Sequence, residues 1–276
     1  MYYFSGNGFS FPLGKKTYVM GILNITSDSF FDGGKYADAD SQIKRAKEIE
    51  EQGAHILDIG AQSTRPGHVK KTADEEIELL SPVIESICKK TDIPVSVDTY
   101  YPAVALFALE NGARIINDVS GVFNPQMAEI VKKYNAGWII THTGFADSST
   151  EIDYKGRVTE SVNGFFDDVT EKCVSSGIKK AQIMLDMGIG FGKGYEDNLT
   201  LLKNIKFLKR KEIALMTAVS CKRVIKISSN AVDDDLLYGT IGANAVAVAG
   251  GTDFVRVHHV RENVLALKTC DEIIRR

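Results

Sequence analysis

Eight short apolar runs recur along this chain, and each ends in a polar or charged residue. The runs are Val19–Ile25, His55–Gly60, Pro94–Asp98, Arg114–Val119, Gly137–His142, Ile183–Gly188, Ile213–Ser220 and Phe254–His258. Segments with a helical spacing of apolar residues separate the runs, and strands that alternate with helices form parallel sheets with right-handed crossovers. Eight such units predict a closed (β/α)8 barrel, the TIM barrel, with an open doubly wound sheet as the alternative.

The intervening segments predict eight helices, and the first residues predict a hairpin. The helices are Ala39–Gln52, Asp74–Cys88, Pro102–Glu110, Pro125–Tyr134, Val158–Ser176, Asp197–Phe207, Asp233–Ala249 and Val260–Ile274. Tyr2–Leu13 has Gly6-Asn7-Gly8 at its centre, so we expect a hairpin that covers the N-terminal end of the barrel. At 276 residues the chain has an ordinary length for one α/β barrel, and residues 1–276 are expected to form a single domain.

Composition argues against several classes of partner. The formal net charge of −3 gives no general attraction to nucleic acid or to an anionic membrane. No apolar stretch reaches the roughly 18 residues that span a membrane, and the N-terminus lacks the pattern of a signal peptide. The four cysteines are far apart and form no C-x-x-C pair, which favours reduced thiols in a cytoplasmic protein.

The polar residues at or just after the ends of the runs define a candidate site. They are Asn24, Asp58, Asp98, Asn117, His142, Asp186, Lys222 and His258. The carboxyl ends of barrel strands lie on one face, where the loops that follow them build active sites. We therefore expect one polar pocket on that face.

Two of these residues, and an arginine in the loop after the second run, have an identifiable chemistry and a plainer alternative. The amide oxygen of Asn24 is a neutral, hard ligand that suits Mg²⁺, although a strand-end amide is also satisfied by ordinary hydrogen bonds. Arg65, in the short Ser-Thr-Arg-Pro-Gly loop, presents its fork to a phosphate or carboxylate, or else is solvated. Asp98 contacts a ligand or caps the next helix.

Two further motifs indicate a heterocycle and an anion. The carboxylate of Asp186 matches the two parallel N–H donors of a guanidine-like N–C–N edge, while the glycines of DMGIGFGKG are only a weak match to a phosphate cradle. Lys222, Arg256 and His258 gather at the last two runs, where barrels often bind phosphate. These cations beside a Mg²⁺ ligand predict a site for a pyrophosphate.

Taken in order, the motifs MGILNITSDSFFDGG, DIGAQSTRPG, SVDT, INDVSG, DMGIGFGK and RVH resemble those of the dihydropteroate synthases. The resemblance spans nearly all of residues 18–260. It implies a (β/α)8 barrel, usually a homodimer, that joins p-aminobenzoate to 6-hydroxymethyl-7,8-dihydropterin pyrophosphate with Mg²⁺ present.

The resemblance also implies roles for individual residues. Asn24 would help hold Mg²⁺; Arg65, Arg256 and His258 would bind the pyrophosphate; Asp98, Asn117, Asp186 and Lys222 would hold the pterin, with Phe191 nearby; Thr64, Pro66 and Ser220 would border the aminobenzoate. Arg65, Lys222 and His258 are the expected catalytic residues, because they would act on the leaving group and the pterin.

The chain departs from the family pattern at several positions. Ser27 replaces a usual proline, Gln62 a glutamate, Thr143 a methionine, Met187 a proline and Cys221 an arginine, and a glycine-containing turn is missing after residue 223. These changes concentrate on the acceptor side of the site. Two other functions therefore stay open, a divergent paralogue that binds pterin without making pteroate and another pterin-dependent barrel transferase such as a methyltetrahydrofolate methyltransferase.

Overall fold

A closed barrel of parallel strands forms the centre of the molecule in this computed structural model, which describes residues 1–25, 35–62, 70–144, 150–230 and 235–275. The hairpin strands are β1 (Tyr3–Gly6) and β2 (Phe9–Pro12); the barrel strands are β3 (Tyr18–Asn24), β4 (Ile56–Gly60), β5 (Val95–Asp98), β6 (Ile115–Asp118), β7 (Gly137–Thr141), β8 (Ile183–Asp186), β9 (Ala214–Thr217) and β10 (Phe254–Val257). Each barrel strand pairs with the next, and β10 returns to β3 with Val255 opposite Val19. The closed barrel is confirmed, and the open-sheet alternative is wrong because no barrel strand in these ranges is left as an edge.

Helices follow the barrel strands and cover the outside of the sheet. They are α1 (Lys35–Glu51), α2 (Ala73–Leu80), α3 (Ile84–Lys90), α4 (Pro102–Glu110), α5 (Pro125–Tyr134), α6 (Val158–Ser175), α7 (Tyr195–Lys203), α8 (Ile205–Leu208), α9 (Arg223–Ser229), α10 (Leu236–Ala249) and α11 (Val260–Ile274). A short 3₁₀ turn, Lys180–Gln182, precedes β8. Pro102 and Pro125 occupy first turns, where a missing N–H costs nothing.

The structure divides two of the predicted helices and adds one that the sequence analysis did not predict. The single helix predicted over 74–88 is divided between α2 and α3, because Pro82 lacks an N–H and its ring obstructs a continuing helix. The helix predicted over 197–207 is interrupted at Asn204, where α7 ends and α8 begins. A helix that the sequence did not predict, α9, follows β9 and ends at Ser229, and its C-cap residue Asn230 has a left-handed backbone (φ 50°).

The hairpin packs across the N-terminal end of the barrel, as predicted. Phe4 is fully buried, and its ring meets the ring of Phe254 edge-on with 5.6 Å between centroids. The Asn7 backbone N–H donates to the carbonyl of Asn135 at 2.7 Å, which ties the hairpin to the loop before β7. Burial of one such aromatic side chain contributes about 1.5–3 kcal/mol. The hairpin thereby closes the apolar end of the barrel, and a site must lie at the other end.

Side chains along each barrel strand point alternately into and out of the barrel, and successive inward positions form layers in the barrel interior. The lower inward positions are apolar and cluster with the hairpin: Met20, Ile56, Ile115, Ile139, Met184, Met216 and Phe254. Two residues further along these strands, the inward positions become polar, as at Asp58, Asn117, Thr141 and Asp186. The strand ends therefore build a polar pocket above the apolar layer of the barrel interior. Within the described ranges, no helix is both long and apolar enough to cross a membrane.

Candidate active site

An arginine and two carboxylates meet at one side of the polar layer. Arg256 of β10 donates from Nε to Oδ2 of Asp58 at 2.7 Å and from Nη2 to Oδ2 of Asp98 at 2.9 Å. Asn117 donates from Nδ2 to the same Asp58 oxygen at 3.1 Å. The register explains the neighbours, because Asp98 lies opposite Asn117 across the β5–β6 pair. Three predicted site residues, Asp98, Asn117 and Arg256, are thus brought together.

Asp58 is a site residue to which the sequence analysis gave no role. It is fully buried and receives hydrogen bonds from both Arg256 and Asn117. Its position at the end of the second apolar run was the available signal, and the missing information was the partner, which lies 198 residues away in the chain. Asp58 fixes the direction of the arginine fork.

The charged groups around Arg256 have displaced pKa values. Burial raises the pKa of Asp98 to about 7; Arg256 opposes this rise, and the neighbouring Asp58 carboxylate adds to it. Burial alone would lower the pKa of Arg256, but Asp58 and Asp98 overcome it and the pKa is raised. A permanently charged guanidinium that is hydrogen-bonded to two carboxyl groups gives this side of the pocket a strong fixed field.

Several buried polar atoms in the upper layer have no hydrogen-bond partner within the part of the chain that the structure describes. They include Asp58 Oδ1, Ser96 Oγ, Asn117 Oδ1 and Thr141 Oγ1. Unpaired buried polar atoms are uncommon in folded proteins because each costs about 1–3 kcal/mol. Here they share the inward face of β4 to β7. The pocket floor thus offers acceptors and hydroxyls to a polar, flat ligand.

Asp186 and Lys222 form the opposite side of the pocket. Asp186 ends β8, is 3% exposed, and accepts the Gly188 backbone N–H at Oδ1 over 2.9 Å. Burial raises its pKa, and Lys222 is the main opposing charge. Burial likewise lowers the pKa of Lys222 to about 8, chiefly opposed by Asp186. Each residue therefore stabilises the charged form of the other.

The segment that follows β8 also holds Lys222 in place. Its Nζ donates to the Ile189 carbonyl at 2.6 Å and lies 4.9 Å from the centroid of the Phe191 ring. Lys222 is the N-cap residue of α9 and lies beyond the end of β9. The structure therefore places Asp186, Lys222 and Phe191 together, as the sequence analysis expected.

Ser220 and His258 are paired beside Arg256. The Ser220 Oγ lies 3.0 Å from His258 Nδ1, and it also accepts the His258 backbone N–H at 3.2 Å. The Ser220 hydroxyl has two acceptor lone pairs and also lies 3.8 Å from the Cys221 thiol, so it can either donate to Nδ1 or accept from it. The pair fixes the orientation of the His258 ring two residues along the chain from Arg256.

Cys221 adopts an unusual backbone conformation between Ser220 and Lys222. Its φ of 56° is left-handed, and its N–H donates to the Thr240 hydroxyl at 3.2 Å. The thiol side chain is partly buried against the core. It supplies no positive charge on the side of the site where the resemblance implies an arginine.

The remaining predicted residues are placed less completely. Thr64, Arg65 and Pro66 lie outside the described residues, as do Ser27 and most of the loop after β3. Asn24 ends β3 with an exposed side chain. Among the residues of known position, no group of three or more His, Cys, Asp or Glu side chains could hold a metal by itself. A single amide oxygen nevertheless fits Mg²⁺, which keeps several waters and takes its other oxygens from substrate phosphates.

Comparison with known proteins gives consistent matches over nearly the whole chain. The family described as pterin binding enzyme matches residues 20–258. A dihydropteroate synthase of Clostridium beijerinckii is 38% identical over 272 residues, which cover 96% of this chain and 97% of that protein.

Solved structures agree with the sequence matches. A dihydropteroate synthase from Clostridium difficile, crystallised in the presence of pteroic acid, superposes with a TM-score of 0.89 at 40% identity and covers 96% of this chain and 100% of that one. The Xanthomonas albilineans dihydropteroate synthase with 4-aminobenzoic acid has a TM-score of 0.86 at 30% identity, covering 96% and 94% of the two chains.

Proposed function

The chain belongs to the dihydropteroate synthase family of pterin-binding enzymes, and we propose that it is a transferase that makes dihydropteroate for folate biosynthesis. Its substrates would be 6-hydroxymethyl-7,8-dihydropterin pyrophosphate and p-aminobenzoate, and its second product pyrophosphate. The observation that carries the proposal is the Asp186–Lys222 pair, which faces a floor of unpaired buried polar atoms. Related structures contain pteroic acid and 4-aminobenzoic acid, which represent the product and the acceptor.

The pocket suits the pterin ring because polar side chains that can pair with the ring lie on two of its sides. Asp186 would accept the parallel N–H donors of the guanidine-like edge, while its Oδ1 keeps the Gly188 N–H. Lys222 would donate to a ring acceptor, with the Phe191 ring nearby. Asp98 and Asn117, at the ends of β5 and β6, would hold the opposite edge. The arrangement discriminates by paired donors and acceptors, which reject a ligand that leaves them unpaired.

The leaving group would lie at the mouth beside β10. Arg256 uses Nε and Nη2 on the two carboxylates, which leaves Nη1 for a phosphate oxygen. His258, whose ring is held at Nδ1 by Ser220, and Arg65 would complete the set. When bound at Asn24, Mg²⁺ would neutralise charge that develops on the departing pyrophosphate.

The reaction forms one C–N bond and breaks one C–O bond. The amine nitrogen of p-aminobenzoate attacks the methylene carbon of the pterin, the bonding electrons leave with the pyrophosphate oxygen, and the nitrogen releases a proton. A neutral aryl amine is already nucleophilic, so the chain needs no strong general base. Its residues contribute orientation and a fixed field at the point where negative charge develops.

A turnover assay tests the proposal. Purified protein with pterin pyrophosphate, p-aminobenzoate and Mg²⁺ is expected to form dihydropteroate, and Asn24→Ala is expected to raise the Mg²⁺ concentration needed for half-maximal rate. Tight pterin binding without product would favour the non-catalytic paralogue. No binding of pterin pyrophosphate would overturn the proposal altogether.

A homodimer is part of the proposal, supported by an exposed apolar surface on α10 and α11. Tyr238, Gly242 and Val246 follow one another every four residues on α10, and an added Cβ at Gly242 would meet nothing within 4 Å. Tyr238 is 71% exposed, and Leu265 on the adjacent α11 is 57% exposed. Contiguous exposed apolar side chains mark association surfaces. Light scattering is expected to show a dimer that Val246→Asp dissociates; a monomeric wild type would contradict this.

Two further expectations belong to the same proposal. Pairing of β10 with β3 joins the two halves of the chain in one sheet, which supports a single domain over residues 1–276. All four cysteines are free thiols, which supports residence in a reducing compartment such as the cytoplasm.

A further inference from the structure

The glycine-rich segment after β8 makes an unusually close approach to the end of β7. Gly188, Gly190 and Gly192 have left-handed φ values of 66°, 84° and 58°. A Cβ at Gly188 would lie 1.9 Å from the carbonyl oxygen of His142, so only glycine fits there. The N–H groups of Gly188 and Gly190 already donate to protein side chains, and the carbonyl oxygens of the segment accept from lysine ammonium groups. The segment is therefore a cradle for ammonium groups and not the phosphate cradle that its sequence weakly suggested.

Lys193 occupies this cradle. Its Nζ donates to the carbonyl oxygens of His142 at 3.0 Å, Gly188 at 2.9 Å and Phe191 at 2.8 Å. An ammonium group has three N–H donors and no acceptor, so all of its hydrogen bonds are made. The residue is only 5% exposed, and burial lowers its pKa to about 7 while Asp186 opposes the shift. Burial of a lysine ammonium group costs free energy unless its hydrogen bonds are made, as they are here.

The same segment orients both of the groups proposed to hold the pterin. The N–H of Gly188 fixes one oxygen of Asp186 at 2.9 Å, and the carbonyl of Ile189 receives Lys222 Nζ at 2.6 Å. Asn198 of α7 anchors the outer side, because it accepts the Gly190 N–H and donates to the Lys193 carbonyl. One short piece of backbone thus sets the directions of Asp186 and Lys222.

We propose that Lys193 is a positioning residue for the pterin, whose ammonium group holds residues 188–191 so that Asp186 and Lys222 face the heterocycle. The inference rests on the proposed function and gives Lys193 no contact with substrate. Its N–H donors, rather than the bulk of its side chain, perform the role. Removing the donors therefore weakens pterin recognition and leaves the acceptor side unchanged.

Lys193→Met separates donors from bulk, because methionine has a similar length and no N–H. We expect the Michaelis constant for pterin pyrophosphate to rise by about tenfold or more, since hydrogen bonds to a charged group are lost. The Michaelis constant for p-aminobenzoate is expected to change less than about twofold. Lys203→Met, an exposed lysine on α7, is the matched control and is expected to change neither constant.

Amide hydrogen exchange gives a readout that needs no substrate. Backbone amides of residues 188–191 are expected to exchange at least about tenfold faster in Lys193→Met than in wild type, while those of β7 and β8 keep their protection. Exchange that is unchanged in this segment would overturn the positioning role even if the protein proved to have another activity. Failure of wild type to bind pterin would instead count against the proposed function.

Chemical rescue tests whether an ammonium group is required. Lys193→Ala lacks the atoms of an n-propylammonium ion, so that ion is expected to restore at least about half of the lost pterin affinity. Propan-1-ol, which has one donor and no charge, and tetramethylammonium, which has charge and no donor, are the matched controls. Equal rescue by all three, or by none, would contradict the proposal. If the alanine variant does not fold, Lys193→Gln is measured without added ions; its amide keeps two N–H donors, so it is expected to retain part of the affinity that Lys193→Met loses, and an equal loss in both variants would contradict the proposal.

Discussion

Asp186→Asn keeps the shape of a buried side chain and removes its charge. The asparagine carbonyl oxygen can still accept the Gly188 N–H that Asp186 Oδ1 accepts at 2.9 Å. Its Nδ2 then faces the N–H donors of the pterin, so one charge-assisted bond is lost and two donors oppose each other. The side chain is 3% exposed, which leaves little water to compensate. We expect a loss of about 2–4 kcal/mol in binding free energy, or about 30- to 900-fold in affinity.

Isothermal titration calorimetry with pterin pyrophosphate, in the absence of acceptor, measures this loss directly. Asp92→Asn is the matched control, because Asp92 is exposed in the turn before β5, at the opposite end of the barrel. It is expected to bind like wild type. Equal affinities for wild type and Asp186→Asn would refute the reasoning and remove Asp186 from the pterin site.

Three other predictions concern the buried groups Lys222 and Glu76 and the substitution at Cys221. Burial lowers the pKa of Lys222 to about 8, so pterin affinity, measured by titration, is expected to fall as pH rises through 8. The free energy of unfolding, measured in urea, is expected to rise between pH 8 and 10.5, because the folded protein loses the Lys222 proton before the unfolded chain does. Burial raises the pKa of Glu76 to about 7, so its contribution to stability falls as pH rises from 4.5 to 7, and urea unfolding of Glu76→Gln is expected to lack that fall. Cys221→Arg is expected to lower the Michaelis constant for p-aminobenzoate by about fivefold, because one partly exposed ion pair contributes about 1 kcal/mol. If Cys221→Arg leaves this constant unchanged while Arg223→Ala raises it, Arg223 already binds the carboxylate of p-aminobenzoate.

Local sequence patterns predict the barrel well because its strands and helices are regular. Apolar runs that end in polar residues identify the strands, and the closure of the barrel then brings Asp98, Asn117 and Asp186 to one face. The hairpin was predictable from Gly6-Asn7-Gly8 and its flanking aromatics. Pro82 was visible in the sequence, but the spacing of apolar residues continues across it, so the break between α2 and α3 was missed.

The parts that sequence patterns could not give depend on contacts between distant segments. The fork of Arg256 onto Asp58 and Asp98 joins residues on three strands, and no local pattern specifies which carboxylate an arginine meets. In the sequence, Lys193 is simply a lysine that follows a glycine-rich segment, and nothing local indicates that it is buried. Only the folded backbone shows that three carbonyl oxygens converge on its Nζ.

Isotope labelling tests most directly whether this pocket forms a C–N bond by displacing pyrophosphate. Pterin pyrophosphate carries ¹⁸O in the oxygen that bridges the methylene carbon and phosphorus, and the products are analysed by mass spectrometry after reaction with p-aminobenzoate. Equal amounts of dihydropteroate and pyrophosphate are expected, with all of the label in pyrophosphate. Label retained in 6-hydroxymethylpterin, or release of pyrophosphate without dihydropteroate, would contradict this expectation.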